Sequence, residues 1–178
     1  MAEASSPEQQ HSTIRLAGIV RESIVDGPGI RLTVFVQGCP HHCPGCHNPD
    51  THDPTGGYDC DSEKIIEALR QNPLLRGVTL SGGEPIEQAE ALLPVAEKVR
   101  ELGKDVVIYS GYTFEQLQQI AKNRPAVGKL LSLACLLVDG RFISDQRDLT
   151  LRFRGSSNQR LLDPVASLEQ GCAVLSNL

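Results

Sequence analysis

The sequence has no apolar run long enough to cross a membrane, and its N-terminus has neither a secretory apolar core nor an arginine-rich transit pattern. It also has no excess of basic residues, because 17 lysines and arginines stand against 22 aspartates and glutamates, for a net charge of -5. Nucleic-acid-binding proteins usually present a basic surface. These absences predict a cytoplasmic protein with no nucleic-acid partner and no membrane contact.

What is present is the composition of an ordinary soluble globular protein, with 40% hydrophobic and 22% charged residues. A chain of 178 residues predicts one domain with its own core. We expect this domain to span residues 14–165. Residues 1–13, rich in Ser, Gln and Glu, are predicted to be a flexible N-terminal tail, and residues 166–178 a C-terminal tail.

Strand and helix patterns alternate along the domain. The predicted strands are Ile14–Val20, Arg31–Gln37, Gly77–Ser81, Lys104–Ser110 and Ala134–Asp139, and the predicted helices cover 62–71, 87–102, a segment from 113 and 127–131. Residues 48–61 are expected to be irregular. The strands are continuous in Val, Leu and Ile, which is typical of parallel strands covered on both faces. The fold class is therefore α/β, and because the chain is too short for eight units, we expect an open partial (β/α) barrel of about four to six strands.

Three thiols stand within eight residues, with the spacing C-x3-C-x2-C: Cys39, Cys43 and Cys46. Pro40 and Pro44 make a continuous helix implausible here, so the stretch is predicted to be a loop that follows a strand. Thiolates this close can hold zinc, hold an iron-sulfur cluster or form disulfides. Three ligands leave one metal corner open for a substrate, which favours chemistry over a structural role.

Two alternatives use the same residues. A zinc knuckle would recruit one of four nearby histidines as its fourth ligand: His41, His42, His47 or His52. A disulfide fits less well in a chain with no secretory signal. For the same reason the three other cysteines, Cys60, Cys135 and Cys172, are predicted to be free thiols, and Cys135 is expected to pack in the core.

Two further segments could contribute to a site. Gly82-Gly83-Glu84-Pro85 directly follows a predicted strand, where glycines allow a ligand to approach the backbone, although such a pair is often only a turn. In a parallel sheet this segment would lie beside the cysteine loop. Residues 152–160 are polar and basic, and could bind an anion, dock a partner or form a solvated loop.

The cysteine spacing resembles that of the radical S-adenosylmethionine (SAM) enzymes, whose C-x3-C-x2-C motif holds a 4Fe-4S cluster with one iron free. The stretch Asp26-Gly27-Pro28-Gly29-Ile30-Arg31 is similar to the activases of glycyl radical enzymes. Two segments, residues 136–142 and 154–159, look like the family that activates anaerobic ribonucleoside-triphosphate reductases. His47 departs from the commonest pattern, in which an aromatic residue follows the third cysteine. A zinc module would require all these segments to match by accident.

The resemblance implies a radical SAM oxidoreductase that generates a glycyl radical on the large subunit of the reductase, with electrons from a donor such as flavodoxin or ferredoxin. It implies that the three loop cysteines ligate iron. It implies cofactor contacts by Gly82, Gly83 and Glu84 on the methionyl side, and by Gly45, Cys46 and His47 near the adenine. An activase of another glycyl radical enzyme, such as pyruvate formate-lyase, and a non-enzymatic zinc-binding module remain the alternatives.

Overall fold

The computed structural model describes residues 12–178, which form one mixed sheet with five α-helices. Most of the predicted N-terminal tail lies outside these residues. The strands are β1 (Thr13–Ser23), β2 (Ile30–Val36), β3 (Tyr58–Asp61), β4 (Leu75–Gly82), β5 (Asp105–Ser110), β6 (Leu136–Asp139) and β7 (Arg160–Leu162). The helices are α1 (Ser62–Gln71), α2 (Ala89–Glu101), α3 (Phe114–Asn123), α4 (Pro125–Leu133) and α5 (Pro164–Gln170).

The sheet order is β3-β1-β2-β4-β5-β6-β7. Its centre is the four parallel strands β2, β4, β5 and β6, each joined to the next through helices. Antiparallel strands extend both sides, with β1 between β2 and β3, and β7 beside β6. The α/β class is confirmed. The sheet has seven strands, more than the four to six that were expected.

The extra strands come from segments without a clear strand pattern. Residues 48–61, expected to be irregular, contain the 3-10 turn Pro49–Thr51 and strand β3, which pairs with the start of β1. Strand β7 has only three residues. Residues 166–178, which were predicted to be a C-terminal tail, contain most of α5. Leu175 in this segment forms an antiparallel β-bridge with Leu162 of β7. The domain limits 14–165 stay a prediction.

Local sequence signals set several helix ends. The Asp61 side chain caps α1 by accepting from the Glu63 N–H, and Thr113 and Gln116 form the predicted capping box at the start of α3. Pro94, expected to kink or split its helix, lies inside the unbroken α2. Within residues 12–178, no helix combines the length and apolar character needed to span a bilayer.

The two faces of the sheet are covered differently. The main core packs alternate strand residues, such as Leu32, Val78 and Ile108, against apolar side chains of all five helices. Strands joined in sequence order by right-handed crossovers place their helices on one face. The opposite face carries the small cluster of Val107, Leu136, Val138 and Leu161, against which Phe153 of a loop packs. The strands are thus covered on both faces, as expected, but the second cluster is covered by a loop residue and not by helices.

Cys135 corrects another expectation. It lies within an apolar run but is exposed, because it falls in the connection between α4 and β6. Its backbone N–H donates to the Val106 carbonyl at 2.8 Å. Cys60, by contrast, is buried in the main core.

Candidate functional site

The three cysteines of the loop line one cavity. It has a volume of about 430 Å³ and lies at the carboxyl ends of the parallel strands, where α/β proteins usually bind ligands. Cys39, Cys43 and Cys46 are all half-buried free thiols. Gly45, the residue before Cys46, is one of the predicted cofactor contacts. It has φ +72, and a Cβ there would meet the side chains of Ser144 and Phe142, which lie outside the cysteine loop.

Backbone N–H groups hold the start of the loop and contact a thiol near its end. Gly38, with φ +93, starts the loop, and its N–H and that of Cys39 donate to the carbonyls of residues 51–52 at 2.8 and 3.2 Å. Near the other end the Asn48 N–H donates to Sγ of Cys46 at 3.4 Å. All three cysteines line the same cavity.

The three cysteine thiols are soft metal ligands. Burial raises the pKa of the Cys39 and Cys43 thiols, so the free thiols are neutral and would lose their protons on binding metal. Thiolates are the ligands that iron-sulfur clusters use, whereas hard cations need oxygen. Within residues 12–178, no group of three or more His, Cys, Asp or Glu side chains is placed closely enough to hold a metal ion. It is the thiol chemistry of the three cysteines that fits an iron-sulfur cluster.

The four histidines named as possible zinc ligands occupy different places. His41 is nearly buried and its Nε2 lies 2.8 Å from the Glu84 carboxylate. His42 is exposed with φ +47, and its ring meets His52 edge to face at 4.9 Å between centroids. His47 is exposed beside Phe142 at 5.1 Å.

Gly82 and Gly83 line the same cavity as the cysteines. Gly82 has φ +94, and a Cβ there would lie 2.6 Å from Cα of Phe35. A Cβ on Gly83 would overlap the Gly38 carbonyl oxygen, and the Gly83 N–H donates to the Val36 carbonyl at 2.8 Å. The pair therefore brings the ends of β2 and β4 into contact, which places the glycine backbone next to the cysteine loop.

Glu84 lies below the cavity and is fully buried. Its carboxylate accepts hydrogen bonds from Ser110 Oγ at 2.9 Å, the Gly111 N–H at 2.8 Å and the Ile86 N–H at 3.1 Å, in addition to the contact with His41. Direct cofactor contact by its side chain stays a prediction. What the structure adds is a tie between the cysteine loop and the end of β5.

The outer wall of the cavity comes from segments that sequence reasoning did not assign to the site. Phe142, in the loop after β6, faces the cysteine loop, and Phe35 and Tyr109 line the wall from β2 and β5. Burial raises the pKa of Tyr109, whose phenol therefore stays neutral. Alternation along the strands could have indicated Phe35 and Tyr109, because both fall on the face away from the helices.

Residues 154–159, part of the polar basic stretch, form a strap along this wall. The Gln159 side chain lines the cavity and donates to the Gly140 carbonyl at 3.0 Å, while Asn158 donates to the Arg141 carbonyl at 2.8 Å. Arg160 pairs with Asp139 and Glu115. The stretch is thus built into the fold and is not a plain solvated loop.

Comparisons with known proteins agree with this arrangement. Residues 25–162 match a family described as a 4Fe-4S single cluster domain. The chain is 37% identical over 144 residues to the anaerobic ribonucleoside-triphosphate reductase-activating protein of Escherichia coli (strain K12), covering 76% of this chain and 90% of that protein. The protein of the same name from Vibrio cholerae is 38% identical over 144 residues, covering 76% and 89%. The pyruvate formate-lyase-activating enzyme of Clostridium pasteurianum is 38% identical over 119 residues, covering 64% and 50%.

Proposed function

Because the chain belongs to the family of anaerobic ribonucleoside-triphosphate reductase-activating proteins, we propose that it generates a glycyl radical on the large subunit of such a reductase. The enzyme is a radical SAM oxidoreductase that uses a 4Fe-4S cluster and SAM. The observation that carries the proposal is that three thiols and the Gly82-Gly83 segment line one cavity.

The residues have separate tasks. Cys39, Cys43 and Cys46 would hold the cluster, and three thiolates would leave one of its irons available to SAM. The chemistry supplied by the reduced cluster with SAM is cleavage to methionine and a 5'-deoxyadenosyl radical, followed by removal of a hydrogen atom from a glycine of the reductase. The backbone of Gly82 and Gly83 offers carbonyl oxygens to the methionyl amino group. Gly45 and His47 lie on the adenine side.

The protein contributes position and exclusion of water to this chemistry. Glu84 holds the cysteine loop against β5 through His41, and the aromatic wall limits solvent around the cavity. We also propose that the sheet is an open partial barrel of the radical SAM type. Its face without helices is where a loop of the partner protein enters.

The cellular setting follows from the same proposal. The enzyme works in the cytoplasm, with no nucleic acid or membrane involved, and takes its electrons from a small donor such as flavodoxin or ferredoxin.

Mixing the reconstituted protein with the reductase, a reductant and SAM without oxygen tests the proposal. We expect a glycyl radical signal in electron paramagnetic resonance (EPR) and release of 5'-deoxyadenosine. A cluster-loaded protein that cleaves SAM but leaves the reductase without a radical would contradict the partner assignment.

Pyruvate formate-lyase is the second candidate partner, because the chain shares 38% identity with an activating enzyme of that name, of which it covers 50%. The same assay with pyruvate formate-lyase in place of the reductase separates the two. A radical on pyruvate formate-lyase alone would move the function to this partner. A colourless protein that binds one zinc and ignores SAM would instead support the zinc-binding module.

A further inference from the structure

The aromatic residues of this chain are few and concentrated. It has four phenylalanines, three tyrosines and no tryptophan. Three of these seven rings, Phe35, Tyr109 and Phe142, line the cysteine cavity, and the His47 ring lines it as well. A cavity with this lining is suited to a flat, partly apolar ligand group.

Phe142 is placed where the cysteine loop and the strap approach each other. Its ring centroid lies 5.1 Å from that of His47, with a 43° tilt between the planes. Glycines stand on both sides of it: a Cβ on Gly155 would lie 3.1 Å from Phe142 Cδ2, and one on Gly45 would lie 3.5 Å from Cε1. The ring therefore fills a slot that a larger residue at position 155 would narrow, whereas a Cβ at position 45 would only touch the ring.

The Gln159 amide holds the two backbone segments that flank this slot. Its Oε1 accepts from the Gly155 N–H at 2.9 Å and from the Ser156 N–H at 3.2 Å. Its Nε2 donates to the Gly140 carbonyl at 3.0 Å, two residues before Phe142. One side chain thus fixes the strap to the loop after β6.

We propose that Phe142 and His47 form the wall against which the adenine ring of SAM packs, and that Gln159 is a positioning residue for Phe142. The inference rests on the proposed function, and it adds two residues to that site. Phe142 supplies an aromatic face that a planar base can pack against. Gln159 keeps this face in place through its hydrogen bonds to Gly140, Gly155 and Ser156.

Two probes separate adenine recognition from the rest of the site. S-adenosylhomocysteine carries the adenine and is not cleaved, whereas methionine has no adenine. With the full-length, cluster-loaded protein we would measure the Kd of S-adenosylhomocysteine by calorimetry. For methionine, the measurement is the change it causes in the EPR spectrum of the reduced cluster.

Phe142→Ala is expected to raise the Kd of S-adenosylhomocysteine about tenfold, since stacking of one base on a ring contributes an effect of this order. The methionine response should not change. The Kd for Phe142→Leu, which keeps apolar volume, should lie between those of wild type and Phe142→Ala. Gln159→Ala should shift the Kd in the same direction by a smaller factor, and Ser157→Ala, an exposed position of the same strap, should leave it unchanged.

A Kd within twofold of wild type for both Phe142 variants would overturn the adenine wall, and an equal loss of the methionine response would overturn it too, as that indicates a general disruption. An unchanged Kd for Gln159→Ala would overturn the positioning role. The radical assay with wild-type protein tests the proposed function independently of the adenine wall, because an activase without this wall would still form the glycyl radical.

Discussion

Nε2 of His41, which lines the cavity, lies 2.8 Å from a carboxylate oxygen of Glu84, and both residues are buried. His41 belongs to the cysteine loop, whereas Glu84 follows β4. The same carboxylate also accepts from Ser110 and Gly111 at the end of β5. Three strand ends therefore depend on one carboxylate for their relative positions.

Glu84→Ala should destabilise the protein by about 3 kcal/mol, because it leaves several buried donors without an acceptor. Glu84→Gln, which keeps one acceptor oxygen, should cost less. Urea unfolding monitored by circular dichroism measures both. Glu97→Gln, an exposed glutamate of α2, is the matched control and should change the midpoint little. A wild-type midpoint for Glu84→Ala would show that the carboxylate does not hold the strand ends.

Arg31 and Arg76 both form a salt bridge with the carboxylate of Asp105, so a buried and an exposed ion pair can be compared at one residue. Arg31 is fully buried and also donates to Thr79 and to the Val78 carbonyl, whereas the Arg76 side chain is 57% exposed. Arg31→Lys should lower the free energy of unfolding by about 3 kcal/mol or more, since an ammonium cannot replace the planar set of donors. Arg76→Lys should cost about 1 kcal/mol or less. Equal effects in denaturant titrations would contradict this assignment.

Gly83→Ala should be destabilising by about 1–3 kcal/mol, because the added methyl overlaps the Gly38 carbonyl and forces β2 and β4 apart. The same shift should reduce cluster retention during reconstitution, which iron analysis measures. Gly18→Ala is the control, since a Cβ there has no neighbour within 4 Å. If both variants retained stability and iron, the close packing of the two strand ends would not matter for the site.

Glu115 should contribute a pH-dependent stability. Hydrogen bonds from Arg160, at 2.9 and 3.1 Å, lower the pKa of Glu115 to about 2 from its ordinary 4.5. Because the folded pKa is the lower one, the contribution is present above about pH 4.5 and is lost as the pH falls toward about 2. The difference in unfolding free energy between wild type and Glu115→Gln should shrink over this range. It should also weaken in high salt, as the pair is partly exposed. A difference independent of pH would contradict the assignment.

The central strands could be predicted from sequence because their signals are local. Segments rich in β-branched and aromatic residues indicated β2 and β5, and the Thr113 capping box indicated the start of α3. Strand β3 was missed, since its four residues gain their structure from pairing with β1 across more than 40 positions of sequence. Edge strands of this kind depend on tertiary contacts more than on propensity.

The site was predictable in part for the same reason. Spacing alone selected the three cysteines, and the position after a strand selected Gly82 and Gly83. The partner of Glu84 was not predictable, because His41 and Glu84 meet only once the sheet is built. Gln159 lies near the chain's end in sequence, and nothing local connects it to the cysteine loop.

The central claim is that the three cysteines hold a cluster that drives radical formation, and the most direct test is anaerobic iron and sulfide analysis of wild type and Cys43→Ala, with EPR after addition of SAM and reductase. Wild type should bind about four irons per chain and form the glycyl radical. Cys43→Ala should lose both while keeping its circular dichroism spectrum, since its side chain lies in a loop outside the core, and Cys172→Ala should behave as wild type. A Cys43→Ala protein that still forms the glycyl radical, or a wild type that binds one zinc and no iron, would contradict the account.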